Sequence, residues 1–318
     1  MSILHIKNIT EYHRLMQLPK PQHPLVSVIN FADIKRKENI TVSSFTHGFY
    51  SIALKQVFNG KMKYGQQEYD FDEGVLAFIA PNQVMRIEVE DEQKLNHLGW
   101  LLIFHPDFLW NTSLAQKINQ YDFFGYELTE ALHLSDKEQN TLTDLMQNIN
   151  QEYNSNIDKF SQDVIISQLE LLLTYSERFY QRQFITRKKT NHKILEQFET
   201  LLNNYFISRD IQENGLPTVN NLSASLNLSP NYLSRLLKTL SGKSTQEFIH
   251  EKLMQLAKEK LSTTELSVNE IAYGLGFEHP QSFGKLFKKK TELTPLEFRK
   301  LYNKNTTTAD NGNRCTSL

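Results

Sequence analysis

The sequence predicts an α+β chain of two domains: an N-terminal β-barrel with accompanying helices, and an all-α C-terminal domain of two helix-turn-helix units joined by a helix. Three observations lead to this prediction. Short β-rich runs alternate with turn signals from about residue 25 to residue 105. Helical apolar patterns follow from about residue 112 to residue 185. The stretch from Thr218 to Lys304 then repeats one pattern within itself.

Composition sets the class of protein. Of the 318 residues, 39% are apolar and 22% are charged, which is typical of a soluble globular protein. Cys315 is the only cysteine, so we expect neither an internal disulfide nor a cysteine-based metal cluster, as in a reducing compartment. We find no signal peptide and no apolar run long enough for a membrane span, and therefore expect a cytoplasmic protein with no membrane partner.

The net charge of −1 hides an asymmetry between the two parts of the chain. Residues 187–304 carry 18 Lys+Arg and 12 Asp+Glu, a balance of +6, and the rest of the chain has a balance of −7. A mildly basic C-terminal part is compatible with contacts to phosphate.

The N-terminal domain is expected to span residues 1–185. A short helix is predicted over Ile3–Leu18, stopped by prolines, before the barrel begins near residue 25. Asn59-Gly60 is a typical hairpin turn, because both residues tolerate positive φ. The predicted strands are Val26–Ile29, Phe49–Val57, Leu76–Ile79, Val84–Val89 and Leu98–Phe104.

Two helices are predicted after the barrel. Ser135 and Glu138 form a capping box for the first helix. The second helix, Asp158–Phe184, has an apolar pattern wider than a single stripe, so two of its faces are expected to be buried. One face would cover the barrel, and the other would pack either within the same subunit or against a second subunit.

The C-terminal domain is expected to span residues 192–304, after a linker at residues 186–191. It begins with a helix over His192–Phe206 and a loop over Asp210–Pro217. Residues 305–318 are polar, lack apolar periodicity and are predicted to be disordered.

The internal repeat consists of a helix, a tight turn and a second helix. Leu222 and Ser223 match Ile271 and Ala272 at an offset of 49 residues, and Pro230 matches Pro280 at an offset of 50. Ser223 and Ala272 are the small residues that crossing helices need. At the turns, Asn227 and Gly276 are expected to adopt a positive φ.

Capping signals support these helix boundaries. Ser229 with Pro230, Ser244 with Glu247, and Ser267 with Glu270 each mark a helix start. The helix that begins after Ser244 joins the two units and is about 26 Å long. Its length allows the two second helices to lie about one DNA turn apart, near 34 Å.

These residues resemble the AraC family of bacterial transcription regulators. The most specific match runs from Gly276-Phe277-Glu278 through Ser282-Phe283, Phe287-Lys288 and Thr294-Pro295 to Phe298-Arg299. The resemblance implies a transcription regulator, an activator, whose partners are double-stranded DNA and RNA polymerase. It also implies that the Asp158–Phe184 helix contributes to a homodimer.

A second resemblance concerns the barrel. Asp72-Glu73-Gly74 and Phe78-Ile79-Ala80-Pro81-Asn82-Gln83 look like the cupin-type sensor barrel of many AraC-family members, which implies a small-molecule effector. Enzymatic cupins hold a metal with clustered histidines, whereas Met85 stands where such a histidine often sits. We therefore expect no metal, no cofactor and no catalytic residue. Tyr50, Tyr64 and Trp100 are the candidate ligand-binding residues, although apolar alternation fits a filled barrel equally well.

The second helix of each unit supplies the candidate DNA contacts. In the first unit Asn231, Tyr232, Ser234, Arg235 and Lys238 are expected to face outward. The resemblance implies that Asn231, Ser234 and Arg235 are the base readers among them. In the second unit the outward residues are His279, Gln281, Ser282, Lys285, Lys288 and Lys289, the last two near phosphate. Gly284 removes one side chain from that surface.

Two other functions stay open. One is a metal-dependent cupin enzyme tethered to a DNA-binding module, and the other is an architectural protein that binds DNA without sequence preference. The first requires metal ligands that the sequence does not offer. The second would show salt-dependent binding without a specificity ratio.

Overall fold

The computed structural model describes residues 4–34, 44–57, 62–64, 67–69, 74–86, 98–127, 130–156, 158–186, 188–208, 211 and 214–302. The chain divides into two compact units, Met1–Arg187 (unit 1) and Lys188–Leu318 (unit 2). Unit 1 combines sheets with helices, and the described part of unit 2 is helical.

Unit 1 is built on an antiparallel five-stranded sheet. Its order is β10 (Leu132–Leu134), β7 (Gly74–Ile79), β4 (Tyr50–Val57), β9 (Leu98–Phe104) and β2 (Val26–Asn30). The strands predicted from Val26, Phe49, Leu76 and Leu98 correspond to β2, β4, β7 and β9. The β10 strand was not predicted, because three residues are too short to give an alternation signal.

Two smaller sheets complete the described strands. The first has the order β1 (Leu4–Ile6), β3 (Ser44–His47) and β8 (Met85–Arg86), and the second pairs β5 (Met62–Tyr64) with β6 (Gln67–Tyr69). The predicted strand Val84–Val89 is described only as far as β8. The predicted hairpin turn at Asn59-Gly60 lies outside the described residues. Since the described strands pair as separate sheets, a cupin-type barrel stays a prediction.

The N-terminal helix prediction was wrong in part. Residues 4–6 form β1, which pairs in parallel with β3, and the helix α1 covers only Ile9–Leu15. Asn8 caps α1 by accepting a hydrogen bond from the Glu11 backbone amide, so the helix cannot extend back to Ile3. A parallel pairing with a distant strand leaves no local signal in the sequence.

The five-stranded sheet is covered on both faces. One face carries Phe78, whose ring packs against Phe123 at 4.3 Å and Tyr180 at 6.3 Å between centroids. The other face packs against the N-terminal residues of unit 1. Its cluster of buried apolar residues consists of Ile6, Ile9, Tyr12, Ile29, Phe49, Ala53, Leu101 and Ile103.

The helices α2 (Leu114–Lys117), α3 (Asp136–Tyr153) and α4 (Ser161–Thr186) follow β9, with β10 between α2 and α3. Ser135 and Glu138 form both hydrogen bonds of the predicted capping box at α3. The predicted helix Asp158–Phe184 begins later, at Ser161, because the Asp158 carboxylate accepts hydrogen bonds from the backbone amides of Phe160 and Ser161.

The C-terminal half of α4 is fastened to the sheet edge. Arg182 donates to both carboxylate oxygens of Glu138, at 3.0 and 2.6 Å, and to the carbonyl of His133 at 2.7 Å. The buried amide of Gln183 bonds the backbone of His133 and Ala131 on and beside β10. These bonds fix α4 against α3 and β10.

Six labelled helices form unit 2: α5 (Lys188–Ile207), α6 (Val219–Ser225), α7 (Pro230–Ser241), α8 (Thr245–Thr263), α9 (Val268–Gly274) and α10 (Pro280–Thr291). A further helical stretch covers 295–302. The helix α5 begins at Lys188 and not at His192, so it includes most of the predicted linker segment. The predicted disordered tail, 305–318, lies outside the described residues.

Candidate nucleic-acid interface

The two predicted helix-turn-helix units are present in unit 2, and their turns have the same hydrogen-bonding pattern. The first unit is α6 and α7, and the second is α9 and α10. Asn227 and Gly276 hold the turns at φ values of 55° and 83°. One 3.0 Å backbone hydrogen bond closes each turn, from Leu228 to Ser223 in the first unit and from Phe277 to Ala272 in the second. The turn prediction is therefore confirmed in both units.

Small residues lie where the helices of each unit cross. Ser223 and Ala272 are buried, at 1% and 0% exposure, where α6 packs on α7 and α9 on α10. The Ser223 hydroxyl donates to the Asn220 carbonyl within its own helix, so the buried hydroxyl has a partner.

The two second helices begin differently. At α7 the Ser229 hydroxyl caps the helix by accepting from the Tyr232 amide, as predicted. At α10 the cap position is His279, whose side chain makes no capping hydrogen bond and is exposed. Pro230 and Pro280 occupy the first turn in both helices.

The apolar face of α7 is wider than predicted. Tyr232 is 7% exposed and packs in the interior with Leu233, Leu236 and Leu237, so the prediction that it faces outward was wrong. Tyr232 lies next to Leu233 and one turn before Leu236, and its large ring therefore reaches the apolar face. Of the other candidates on α7, Asn231 and Lys238 are exposed, and Ser234 and Arg235 are half-buried.

Ser234 has a partner that was not predicted. Its hydroxyl lies 3.0 Å from that of Thr245, the fully buried first residue of α8. The bond joins the second helix of the first unit to the connecting helix. The sequence places Thr245 at the start of a helix, because it follows the capping residue Ser244. No local pattern in the sequence indicates its contact with Ser234.

The outward face of α10 agrees with the prediction. Phe283 and Phe287 are fully buried. All six candidates of this helix are exposed: His279, Gln281, Ser282, Lys285, Lys288 and Lys289. Lys290 is also exposed and was not among the candidates. A Cβ placed on Gly284 would have no neighbour within 4 Å, so the surface has room there.

Positive charge from α7 and α10 acts on the start of α8. The pKa of Glu247 is lowered mainly by hydrogen bonds from the backbone and hydroxyl of Ser244, and further by Lys290 and Lys238. Burial lowers the pKa of His250, and Lys290 and Lys289 lower it further. The capping boxes at Ser244 and Ser267 are both complete, as predicted.

The C-terminal stretch of unit 2 stabilises the second helix-turn-helix unit. Phe298 contacts Phe287 edge-on at 5.6 Å between ring centroids. Arg299 donates to the carbonyls of Leu261 at 3.1 Å and Leu266 at 2.7 Å, which lie at and just beyond the end of α8. The bond to Leu261 uses a carbonyl that the end of α8 leaves without an intrahelical partner.

Two of the three candidate ligand-binding residues of unit 1, Tyr50 and Trp100, lie on one face of the five-stranded sheet. Tyr50 stacks on Phe104 at 5.1 Å and meets Phe124 edge-on at 5.0 Å, and burial raises its pKa. Trp100 pairs with Leu54, which shares that face with Tyr50, and is half-buried. The side chain of Tyr64 lies outside the described residues.

Two features of the described residues bear on other functions. No group of three or more His, Cys, Asp or Glu side chains is placed to hold a metal ion. No described helix is both long and apolar enough to cross a membrane.

Comparisons with known proteins agree with the geometry of unit 2. Residues 222–301 match a family model described as a helix-turn-helix domain. The uncharacterized HTH-type transcriptional regulator YijO of Escherichia coli (strain K12) is 36% identical over 75 residues, which are 24% of this chain and 26% of that protein. The chain thus spans about a quarter of the length of that relative.

A second relative extends over both units. The uncharacterized HTH-type transcriptional regulator YfiF of Bacillus subtilis (strain 168) is 23% identical over 263 residues, 83% of this chain and 80% of that protein. Among solved structures, the C-terminal domain of AraT, a response regulator from Geobacillus stearothermophilus, shares 30% identity, with 34% of this chain and 84% of that chain covered and a TM-score of 0.31. The assignment of the C-terminal region rests on the sequence matches and on the repeated turn geometry. The C-terminal region of this chain is an AraC/XylS-type helix-turn-helix domain.

Proposed function

We propose that the chain is a sequence-specific DNA-binding transcription regulator that reads two consecutive major-groove segments. The observation that carries this proposal is the duplicated helix-turn-helix geometry within the matched region. Both second helices bury an apolar face and expose a polar one. Such a helix can enter the major groove while the rest of its unit packs behind it.

The proposed roles of the side chains follow from their exposure and chemistry. Asn231 and Arg235 on α7, with Gln281, Ser282 and Lys285 on α10, are the proposed base readers. Lys238, His279, Lys288 and Lys289 are proposed to contact phosphate. Ser234 is half-buried and bonded to Thr245, which favours a role in positioning α7 over a direct base contact.

We further propose that unit 1 is a sensor with a cupin-like barrel that responds to a small molecule, and that it is neither an enzyme nor metal-dependent. Tyr50, Tyr64 and Trp100 are the proposed ligand contacts. Elemental analysis of protein purified without chelator tests the metal-free proposal. Stoichiometric Fe, Mn, Ni or Zn would favour the tethered-enzyme alternative.

Dimerisation is proposed to use an exposed stripe on α4. Val164, Leu171 and Ile185 are 36%, 45% and 56% exposed, and lie at heptad spacing along one side of the helix. Phe160, just before the helix, is 57% exposed. Large apolar side chains left in contact with water on one helix face are typical of a surface that packs against a partner.

The remaining proposals come from the family. The regulator would act as an activator through RNA polymerase in the cytoplasm. Its sensor and dimerisation domain would span residues 1–185, with a linker at 186–191 and the DNA-binding domain at 192–304.

A genome-wide binding map of the full chain, with and without candidate effectors, tests the proposed function. We expect discrete sites that bind about 10³-fold or more tightly than bulk DNA. Uniform, salt-dependent binding without such sites would instead identify an architectural protein.

A further inference from the structure

Residues 4–18, here called the N-terminal segment, cover one face of the five-stranded sheet. Ile6 and Ile9 are fully buried and Tyr12 is 8% exposed. All three belong to the apolar cluster that includes Ala53, Leu101 and Ile103 of the sheet. Among the described strands β1 lies at a sheet edge and pairs with β3, and His5, Lys7 and Arg14 of the segment are exposed, so the segment faces solvent on one side.

Two buried histidines, one in this segment and one on β3, each contact a serine of the five-stranded sheet. The Nε2 of His13 is 2.9 Å from the Ser27 hydroxyl, and the Nε2 of His47 is 3.5 Å from the Ser51 hydroxyl. Ser27 on β2 and Ser51 on β4 both pair with Ile103 on β9. The two histidine–serine pairs therefore flank one central residue of the sheet.

His13 belongs to the segment itself and is held in its neutral form. Its Nδ1 is 2.5 Å from the Pro19 carbonyl, which can only accept, so Nδ1 carries the proton and Nε2 accepts from Ser27. Burial lowers the pKa of His13, against a smaller opposing effect of the Pro19 carbonyl. Protonation would bring a charge into a site where the residue is 6% exposed.

His47 lies on β3, where it pairs with Ile6 of β1 in the segment. Its ring stacks on Phe49 at 4.4 Å, and Phe49 in turn meets Tyr12 edge-on at 5.8 Å. Burial lowers the pKa of His47 to about 4, backbone groups of Phe49 and His47 oppose this, and His5 on β1 lowers it further. His5 is the titratable group that acts on His47, and its own ring bonds the Thr46 hydroxyl at 2.7 Å.

We infer that the N-terminal segment is an acid-sensitive closure of unit 1: protonation of His13 and His47 weakens its docking on the sheet, so acidification releases residues 4–18. The segment completes the apolar surroundings of both rings. Once it leaves, both histidines gain solvent and bind protons at their ordinary pKa.

The sign of the pH dependence follows from linkage. A histidine whose pKa is lowered in the docked state contributes its full stabilisation above the ordinary pKa of 6.5 and loses it as the pH falls towards the docked value, which for His47 is about 4. At about pH 5.5, protonation of His47 alone weakens docking about tenfold relative to about pH 7.5. His13 acts in the same direction.

Hydrogen–deuterium exchange of the full chain at about pH 7.5 and about pH 5.5 tests this inference, with protection factors corrected for intrinsic exchange. Amides of the N-terminal segment should lose about tenfold or more of their protection at the lower pH. Amides of β9, beneath the segment, should change by less than about twofold. An equal loss of protection in the N-terminal segment and in β9 would indicate general acid unfolding and would overturn the inference. Unchanged protection of the segment at the lower pH would overturn it as well.

Variants separate the histidines from other effects of acid. His47→Phe keeps an aromatic ring over Phe49 without a titrating group, and His13→Gln keeps a hydrogen-bonding side chain at Ser27. The double variant should lose most of the pH dependence of the segment. His23→Gln, which removes another histidine of unit 1 whose pKa is lowered by burial, should keep it. A double variant that retains the full pH response contradicts the inference; if the variants fail to fold, the two-pH comparison in the unsubstituted chain decides alone.

Discussion

Two glycines of unit 2 adopt a positive φ but differ in their surroundings. Gly276, in the turn of the second helix-turn-helix unit, has a φ of 83°. A Cβ added there would lie 2.8 Å from Ile211 Cγ1 and 3.1 Å from the backbone of Gly215. Gly242, just after α7, has a φ of 77° with no atom within 4 Å of that position. A comparison of the two residues can therefore separate the energetic cost of a positive φ from the cost of steric crowding around an added Cβ.

We predict that Gly276→Ala destabilises unit 2 more than Gly242→Ala does. The left-handed conformation alone costs an alanine about 1–2 kcal/mol, which both variants share. Gly276→Ala adds the displacement of Ile211 and of a neighbouring backbone, about 1 kcal/mol or more. Urea unfolding followed by far-UV circular dichroism, which detects the helices of both units, gives the comparison once the transition of unit 1 has been identified separately.

Tryptophan fluorescence supplies the internal control. Both tryptophans of the chain, Trp100 and Trp110, lie in unit 1. The fluorescence transition should therefore be the same in the two variants and in the unsubstituted chain. Equal destabilisation by the two substitutions would show that the contact with Ile211 does not constrain the turn.

A phosphate contact and a base contact have different signatures, and Lys289 is expected to show the first. Lys289→Ala should weaken binding to all sequences alike and lower the salt slope of log K by about one. Lys258→Ala removes an exposed lysine of the connecting helix α8 and serves as the matched control, with no change expected. The measurement is fluorescence anisotropy over a salt series on specific and random duplexes. A Lys289→Ala variant that alters sequence preference contradicts the phosphate role.

Residues with local partners were easier to predict than residues that interact over long distances. The caps at Ser135, Ser244 and Ser267 were predicted because each bonds a glutamate three residues ahead. Tyr232 and Ser234 were assigned to the outward face because helical periodicity cannot tell how far a side chain at the border reaches. Their burial depends on α8 and the rest of unit 2, which periodicity within α7 does not describe.

At the scale of the element, helices with caps were placed well and short strands were not. The turns of both helix-turn-helix units were predicted because Asn227 and Gly276 tolerate positive φ. The strands β1 and β10 have three residues each, and their pairing with β3 and β7 joins distant parts of the chain. No period or turn signal within so short a run identifies such a partner.

The exposed stripe of α4 leads to a prediction about association. A double substitution, Val164→Glu with Leu171→Glu, should convert a dimer to a monomer, because two carboxylates would have to be buried in the apolar contact. Sedimentation velocity of both proteins over a concentration series provides the measurement.

The control uses the neighbouring helix α3. Gln147→Glu adds a charge at an exposed position of α3, outside the apolar stripe of α4, and should leave association unchanged. An unsubstituted chain that is monomeric at high micromolar concentration would exclude this role for α4.

At the scale of the whole molecule, the order of elements was predictable and their three-dimensional pairing was not. The change from strand patterns to helical patterns, and the repeat at residues 218–304, separated the sheet-bearing part of the chain from the double helix-turn-helix. The strand order and the covering of both sheet faces depend on contacts between distant residues, such as Tyr12 with Phe49.

The central claim is that each of the two helix-turn-helix units reads the base sequence in its own segment of the major groove. Arg235 on α7 and Lys285 on α10 are the residues that test this claim, one in each unit. Each substitution by alanine should weaken specific binding by about 1–3 kcal/mol if the side chain makes a good base contact. The base preferences that the two variants lose should lie about 10 base pairs apart.

Binding-site selection from a random duplex library, carried out with the unsubstituted chain, Arg235→Ala and Lys285→Ala, is the most direct measurement. We expect one preferred sequence with two segments, of which Arg235→Ala relaxes one and Lys285→Ala the other. If only Arg235→Ala relaxes a segment, the second unit holds the backbone without reading bases, an outcome that Gly284 on α10 would favour. If both variants select the unsubstituted chain's sequence with undiminished affinity, the proposed reading of DNA by two units is contradicted.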